Sequence, residues 1–372
     1  MGTSGFDREL ALFDATAKLE SALAPPFTWY TDENFFAAER HRIFQKSWLC
    51  VGHIDQVNKP GKFFSGRIID DPFVVINGED GVLRAFHNVC SHKGCELAPP
   101  KGKCDEFVCP YHGWTYKHNG ELCKTPHIGK QSKGFDLSQL GLRPISCKQW
   151  GPFIFIDLDG SWSEKDKDCR SLEEDMEPLK KVLDEMGWEN MKYVEGRTYD
   201  IDCNWKVFVD NGLDGGYHVA YVHERLSKGL DFAGYKTEIH PRCSFQICES
   251  NNSDPRLGNK VVYSWAFPNL FINRYGNCMD VNVVMPIAPD KCRVYFWWYF
   301  NHPDLEMWNI SKTIHRDIAD SDTVQKEDIE LCERTQRGMN SMAFQEGRYS
   351  SKLEGAVHAF HLLVYREMCG RK

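Results

Sequence analysis

Four residues in two short segments carry the chemistry of a redox centre. Cys90-Ser91-His92 is followed, after sixteen residues, by Cys109-Pro110-Tyr111-His112. One thiolate and one imidazole from each segment match a 2Fe–2S cluster in which two thiolates hold one iron and two imidazoles the other. Imidazole ligation raises the potential of such a cluster and leaves titratable groups on it. A zinc site is the competing use of two Cys and two His. Zinc sites usually pair Cys with Cys and His with His, two to five residues apart. Here each segment mixes the two ligand types, and the first has a single spacer. Pro110 and Gly113 suit a turn whose backbone N–H groups point at sulfides. The pattern is that of a Rieske-type centre, built to pass electrons.

A second constellation runs from Asn204 to His223, NWKVFVDNGLDGGYHVAYVH. On a helix, Asp210, Asp214 and His218 recur every four residues and share one face. His223 lies five residues past His218, about 140° away at 3.6 residues per turn. Both imidazoles reach one metal only if the helix ends or distorts. Gly212, Gly215 and Gly216 favour that, since each costs roughly 1 kcal/mol against Ala inside a helix. Two imidazoles plus one carboxylate form the facial triad of non-haem Fe(II) sites, which leaves positions open for O2. The competing reading is a buried helix with two incidental histidines. An oxygenase needs electrons one at a time, so the cluster segments favour the iron site. The carboxylate must come from a distant helix, and Asp317, Asp320, Asp322, Glu327, Asp328 and Glu330 all qualify.

The elements that position these groups fall into two blocks. Residues 30–48 have helical spacing after a Thr/Asp cap signal. From Trp48 to about Asp159, short alternating runs (FFSGRII, PFVVING, VLRAFHNV, EFVCPYHGWTY, GPFIFIDL) separated by Gly, Pro and Asp predict an antiparallel all-β module. Residues 160–195 read as charged and helical. A second β-rich region follows (NKVVYSWAFPN, LFINRYG, CMDVNVVMPIA, KCRVYFWWYF), then helical patterns over 310–345 and 352–368. The expected class is α+β, divided as an N-terminal helical segment 1–47 packing on the catalytic domain, a cluster domain 48–160 and a catalytic domain 161–372. At 372 residues with 42% hydrophobic and 13% aromatic residues, the chain can build two cores. A net charge of −8 argues against nucleic acid as a partner. No run of eighteen apolar residues predicts a membrane span. The start, MGTSGFDREL, has no apolar signal core or Arg/Ser-rich transit stretch. A soluble cytoplasmic protein is expected, or a stromal one if a transit peptide has been removed. The fifteen cysteines read as reduced thiols, Cys95 among them, with Cys203, Cys278 and Cys292 in apolar runs.

The two cluster segments, the NWK-to-His223 block and the later PNLFINRYG and EDIELCERTQRGM segments resemble the Rieske non-haem iron oxygenases. They are most similar to the plant-type choline monooxygenases and relatives that oxidise quaternary ammonium compounds, from about Trp29 to EGAVHAFHLLVYRE. The resemblance implies an all-β Rieske domain and a catalytic domain with a curved, helix-flanked, helix-grip-like antiparallel sheet. It implies Cys90, His92, Cys109 and His112 as cluster ligands, and His218, His223 and Asp328 as ligands of a mononuclear iron. Asp214 would bridge His218 to a cluster histidine, His112, of a neighbour in a head-to-tail homotrimer. One departure is that Asp214 and His218 are separated by three residues, where many superfamily members have two.

The activity so implied is a monooxygenase that uses O2 and electrons from a separate ferredoxin or flavin reductase. No GxGxxG fingerprint provides for a nucleotide within the chain. Choline would be oxidised to betaine aldehyde hydrate in glycine betaine synthesis. Alternatives are N-demethylation or hydroxylation of glycine betaine, carnitine or another small substrate, an aromatic or sterol-like one included, or a Rieske electron carrier without catalytic iron. A trimethylammonium group is held best by aromatic faces. Trp265, Phe267, Phe271, Tyr275 and Trp297 are candidates, with Arg274 for a substrate carboxylate.

Overall fold

The computed structural model describes residues 5–131, 136–159, 171–251, 256–301 and 308–370. It divides into two compact units, residues 44–169 and residues 1–43 together with 170–372. The architecture is α+β, an all-β unit and a unit in which one antiparallel sheet is covered by helices.

The all-β unit comprises β1 (Leu49–His53), β2 (Lys62–Ile68), β3 (Asp71–Asn77), β4 (Leu83–His87), β5 (Lys101–Lys103), β6 (Phe107–Val108), β7 (Thr115–Tyr116), β8 (Leu122–Lys124), β9 (Pro144–Trp150) and β10 (Phe153–Asp157). A seven-stranded sheet runs β1-β10-β9-β4-β3-β2-β5, and β6-β7-β8 form a small second sheet. The first cluster segment leaves β4. The second is the tip of the β6–β7 hairpin. Both bases are braced by backbone bonds, from Cys90 N to Cys95 O at 2.8 Å and from Cys109 N to Trp114 O at 2.7 Å. The buried Asn88 side chain ties down the first loop. It donates to Ala98 O at 3.0 Å and accepts from Ala98 N at 2.8 Å.

In the other unit, β11 (Lys192–Ile201), β12 (Leu230–Ile239), β13 (Cys243–Ser250), β14 (Lys260–Ala266), β15 (Leu270–Tyr275), β16 (Cys278–Ala288) and β17 (Lys291–Phe300) build one sheet, ordered β11-β17-β16-β15-β14-β13-β12. Strands β12 to β17 are a plain meander, and β11 closes the β17 edge. Helices Leu172–Glu185, Trp205–Leu213, Trp308–Met339 and Gly355–Met368 accompany the sheet. No described helix is long and apolar enough to cross a membrane.

The helix carrying the Asp/His block stops earlier than its spacing predicts. Trp205–Leu213 ends at Asp214, and Gly215 and Gly216 both take φ of +73°. A Cβ on Gly215 would lie 2.4 Å from the Leu353 carbonyl, so only glycine permits this approach. Asp210 therefore leaves the face it was expected to share with Asp214 and His218. Its carboxylate accepts from Tyr30 Oη at 2.8 Å and lies 2.9 Å from His361 Nε2. The same helix is anchored at its start by a wholly buried ion pair. Lys206 Nζ donates to Glu39 Oε1 at 2.6 Å, and Trp205 Nε1 donates to Glu39 Oε2 at 3.1 Å. Burial pushes the Glu39 carboxyl up and the Lys206 ammonium down, and each charge holds the other in place.

Removing one member of a buried pair strands its partner, at a cost of about 3–5 kcal/mol, whereas apolar replacement of both is often near neutral. Lys206→Met is thus expected to lower the denaturant midpoint sharply. Glu39→Leu with Lys206→Met should recover most of the loss. Equal midpoints for the single and double variants would contradict this account of the anchor.

Candidate cluster loops and metal centre

His218 and His223 bracket the single-turn helix Val219–Val222. Their Nε2 atoms lie 3.2 Å apart. Asp328 Oδ1, from the helix Trp308–Met339, lies 3.3 Å from the first and 3.0 Å from the second. With bonds of about 2.1 Å to a divalent first-row ion, ligands at right angles sit about 3.0 Å apart. The triangle therefore fits one octahedral face and leaves the opposite face free. It is the one such donor cluster among the described residues.

Each imidazole is oriented from behind by a carboxylate. His218 Nδ1 donates to Asp214 Oδ2 at 2.6 Å, and His223 Nδ1 donates to Glu327 Oε2 at 2.7 Å. Protons fixed on both Nδ1 atoms turn both Nε2 lone pairs toward the shared point. Asp214 also accepts from His218 N at 2.9 Å, and Asn211 Nδ2 donates to Asp328 Oδ1 at 3.0 Å. Burial opposes charge on His218, but Asp214 and Asp328 override it and carry its pKa up to about 10. His223 is raised by Asp328 and Glu327 against the same burial, while Asp328 is held well below the usual carboxylate range by the two imidazoles despite its own burial.

At the cluster loops Cys90 and Cys109 are buried, and the His92 and His112 rings approach to 4.6 Å between centroids. Trp114 stacks on His92 at 4.6 Å with planes 7° apart. His92 Nδ1 is buried without a hydrogen-bond partner, as a nitrogen awaiting iron would be. Burial works against the Cys109 thiolate, yet the Tyr111 and His112 backbone N–H groups with the Cys90 and Cys95 thiols shift its pKa down. The Tyr116 hydroxyl lies 3.1 Å from Cys90 Sγ. Cys95 is a free thiol. The donor types, the orphaned nitrogen and the thiolate-stabilising N–H groups fit a 2Fe–2S cluster.

Comparison with known proteins agrees. Residues 47–140 match the Rieske 2Fe–2S domain, and residues 188–370 match the ring hydroxylating alpha subunit (catalytic domain). The chain is 41% identical to the chloroplastic choline monooxygenase of Arabidopsis thaliana over 365 residues, spanning 96% of this chain and 85% of that one. The chain belongs to the Rieske non-haem iron monooxygenases. It is 26% identical to the carnitine monooxygenase oxygenase subunit of Acinetobacter pittii, over 95% of both chains. The crystal structure of the quaternary ammonium Rieske monooxygenase CntA superposes with a TM-score of 0.82 at 26% identity, covering 93% of this chain and 95% of that one. Membership brings a Rieske cluster and a mononuclear non-haem iron as cofactors.

In this Rieske monooxygenase the metal triangle opens into a cavity enclosing about 870 Å3, part of it open to solvent. Phe271 and Tyr275 line it, joined by Phe208, Tyr235, Tyr263 and Phe296. The other substrate candidates lie elsewhere. Trp265 pairs with the cavity-lining Phe271 but is not itself among the lining residues, and it packs edge-on against Phe360 at 5.2 Å. Phe267 lies past the end of β14, under the Arg242 guanidinium at 4.5 Å. Trp297 alternates with the cavity-lining Phe296 and so faces away from it. Arg274 likewise alternates with Asn273 and Tyr275. Its guanidinium is spent on backbone carbonyls, Cys278 O at 3.1 Å and Met186 O at 2.9 Å. The arginine that does line the cavity is Arg256, 5.4 Å over the Tyr275 ring. Sequence offered Glu327 only as a candidate ligand, not as the carboxylate behind His223, and gave Asn211 and Asp280 no role. Only Glu327 had a signal, its place beside Asp328.

Two outcomes follow. Protons on His218 and His223 must leave before a metal enters. The raised His218 pKa supports the folded apoprotein fully below pH 6.5, and that support is lost as pH rises through about 10. Metal affinity runs the other way. Titration of the apoprotein with Co(II) should tighten by about tenfold per displaced proton per pH unit between pH 6 and 8. Affinity independent of pH would contradict the assignment. Separately, Tyr116→Phe removes a hydrogen bond from a cluster thiolate and should lower the Rieske potential by some tens of mV in a redox titration.

Proposed function

We propose that the chain oxidises choline to betaine aldehyde hydrate, taking electrons singly from a separate ferredoxin or flavin reductase. The balance is choline, O2, two electrons and two protons giving the gem-diol and water. The observation that carries the reading is the two-His, one-carboxylate triangle opening into an aromatic cavity, in a chain 41% identical to a choline monooxygenase. His218, His223 and Asp328 would hold the iron, and Cys90, His92, Cys109 and His112 the cluster. When bound, the iron supplies O2 activation and the cluster supplies electrons. The chain's own groups do the rest. Asp214 and Glu327 keep the Nδ1 protons in place. Asn211 fixes the Asp328 carboxylate. The aromatic walls exclude water and receive the trimethylammonium group.

Asp214, bonded to His218, would also accept from His112 of a neighbouring copy in a head-to-tail homotrimer. Inter-subunit electron transfer is named for a structurally similar quaternary ammonium Rieske monooxygenase. The compartment is aqueous, the cytoplasm or a plastid stroma. One observation favours a second reading. Arg256 in the cavity wall suits a substrate with a carboxylate, such as glycine betaine or carnitine, hydroxylated on an N-methyl group with loss of formaldehyde.

With a plant-type ferredoxin pair, choline should drive O2 uptake and yield betaine aldehyde. Formaldehyde from glycine betaine or carnitine, with none of the aldehyde from choline, would replace the first reading by the second. Asp214→Ala, reloaded with Fe(II), should keep both centres yet lose turnover by more than about 100-fold. Full activity would refute the bridge.

A further inference from the structure

We propose that Asp280 is the charge partner of the substrate's quaternary ammonium group, at the floor of a subsite walled by Tyr263, Tyr275, Phe271 and Phe296. The proposal rests on the reading of this cavity as a quaternary ammonium site and holds for either substrate class. The strand register builds the subsite. Tyr263 pairs with Asn273, and Asn273 with Asp280, so one row crosses β14, β15 and β16 on the cavity face. The next row places Phe271 opposite Asn282 and Asn282 opposite Phe296. Asp280 therefore shares the cavity face with Tyr263, Phe271 and Phe296.

Three carboxylates line the cavity, Asp214, Asp280 and Asp328. The first and last are committed to the imidazoles. Asp280 is 5% exposed and accepts from Asn273 Nδ2 at 2.8 Å, from Ser321 Oγ at 3.2 Å and from the Tyr275 hydroxyl. All three donors are neutral, so no cation is bonded directly to this carboxylate among the described residues. Arg256 acts on it only through space and stands over the Tyr275 ring. A buried carboxylate held by neutral donors is costly unless a cation arrives. A trimethylammonium ion cannot donate hydrogen bonds. It is matched by a charge whose own bonds are already made, surrounded by ring faces. The Tyr275 hydrogen bond to Asp280 adds to the match, since it places negative charge at the phenol end of a ring in the wall.

The test compares choline with its neutral isostere 3,3-dimethyl-1-butanol, by calorimetric titration of the holoenzyme under argon and by kcat/KM. Asp280→Asn should weaken choline binding by about tenfold or more while changing the isostere by less than about twofold. The ratio of the two cancels any general loss of folded or metal-loaded enzyme. Tyr263→Leu should lower the same ratio, and Tyr263→Phe should leave it within about twofold. An unchanged ratio in Asp280→Asn, with choline still bound and oxidised by the parent enzyme, overturns the role of Asp280 and leaves the choline reading intact. A parent enzyme that binds choline no better than the isostere overturns both.

Discussion

The catalytic unit is organised around three heteroatoms that would repel one another without a proton or a metal between them. His218 Nε2, His223 Nε2 and Asp328 Oδ1 stand 3.0 to 3.3 Å apart. Two lone pairs and a carboxylate oxygen meet at one point, because Asp214 and Glu327 hold the opposite ring nitrogens protonated. The protein assembles this from two distant stretches, the His218–His223 turn and a helix whose Asp328 comes more than a hundred residues later. Neither stretch alone specifies a site. The arrangement has to be imposed by whatever fixes the two against each other.

What fixes them is the helix Trp205–Leu213 and the manner of its ending. Its start is pinned by the buried Lys206–Glu39 pair, its middle by Asp210 with Tyr30 and His361. Asn211 reaches across to Asp328. Gly215 and Gly216 then turn the chain by left-handed backbone, which lets Asp214 bond both the backbone and the ring of His218. Gln246 locks the turn from the sheet side, donating to Gly212 O at 2.7 Å while accepting from Tyr235 Oη at 2.9 Å. Cavity wall and metal triangle therefore share supports, so a change to the wall is felt at the ligands.

The cluster segments were legible in the sequence because all four donors are local and their spacing is chemically unusual. The β-strands flanking them were legible where they alternate or where aromatic and β-branched residues cluster between Gly, Pro and Asp. β1, β5, β8, β9 and, in the other unit, β11 to β13 were not singled out. β1 (LCVGH) is buried at every position like β10 but lacks the aromatic and β-branched run of β10 (FIFID), and β5 and β8 are three residues long. The glycines pointed to a broken helix, but not to a break ahead of His218, since periodicity counts residues and not backbone signs. Asp328 was one of six candidate acids, all on a single helix, and only the resemblance chose it. Arg274 and Trp297 failed as cavity residues for one reason. Strand alternation says which residues share a face but not which face is covered, and that depends on where the later helix Trp308–Met339 lies.

The central claim is that one chain holds both a Rieske cluster and a separate ferrous ion at the His218, His223 and Asp328 triangle. The most direct measurement is iron content with low-temperature EPR on the reduced protein and on His223→Ala. The account predicts about three irons per chain with a Rieske signal in the parent, and about two irons with the same signal in the variant. About two irons in the parent, or no loss of iron on removing His223, would contradict it.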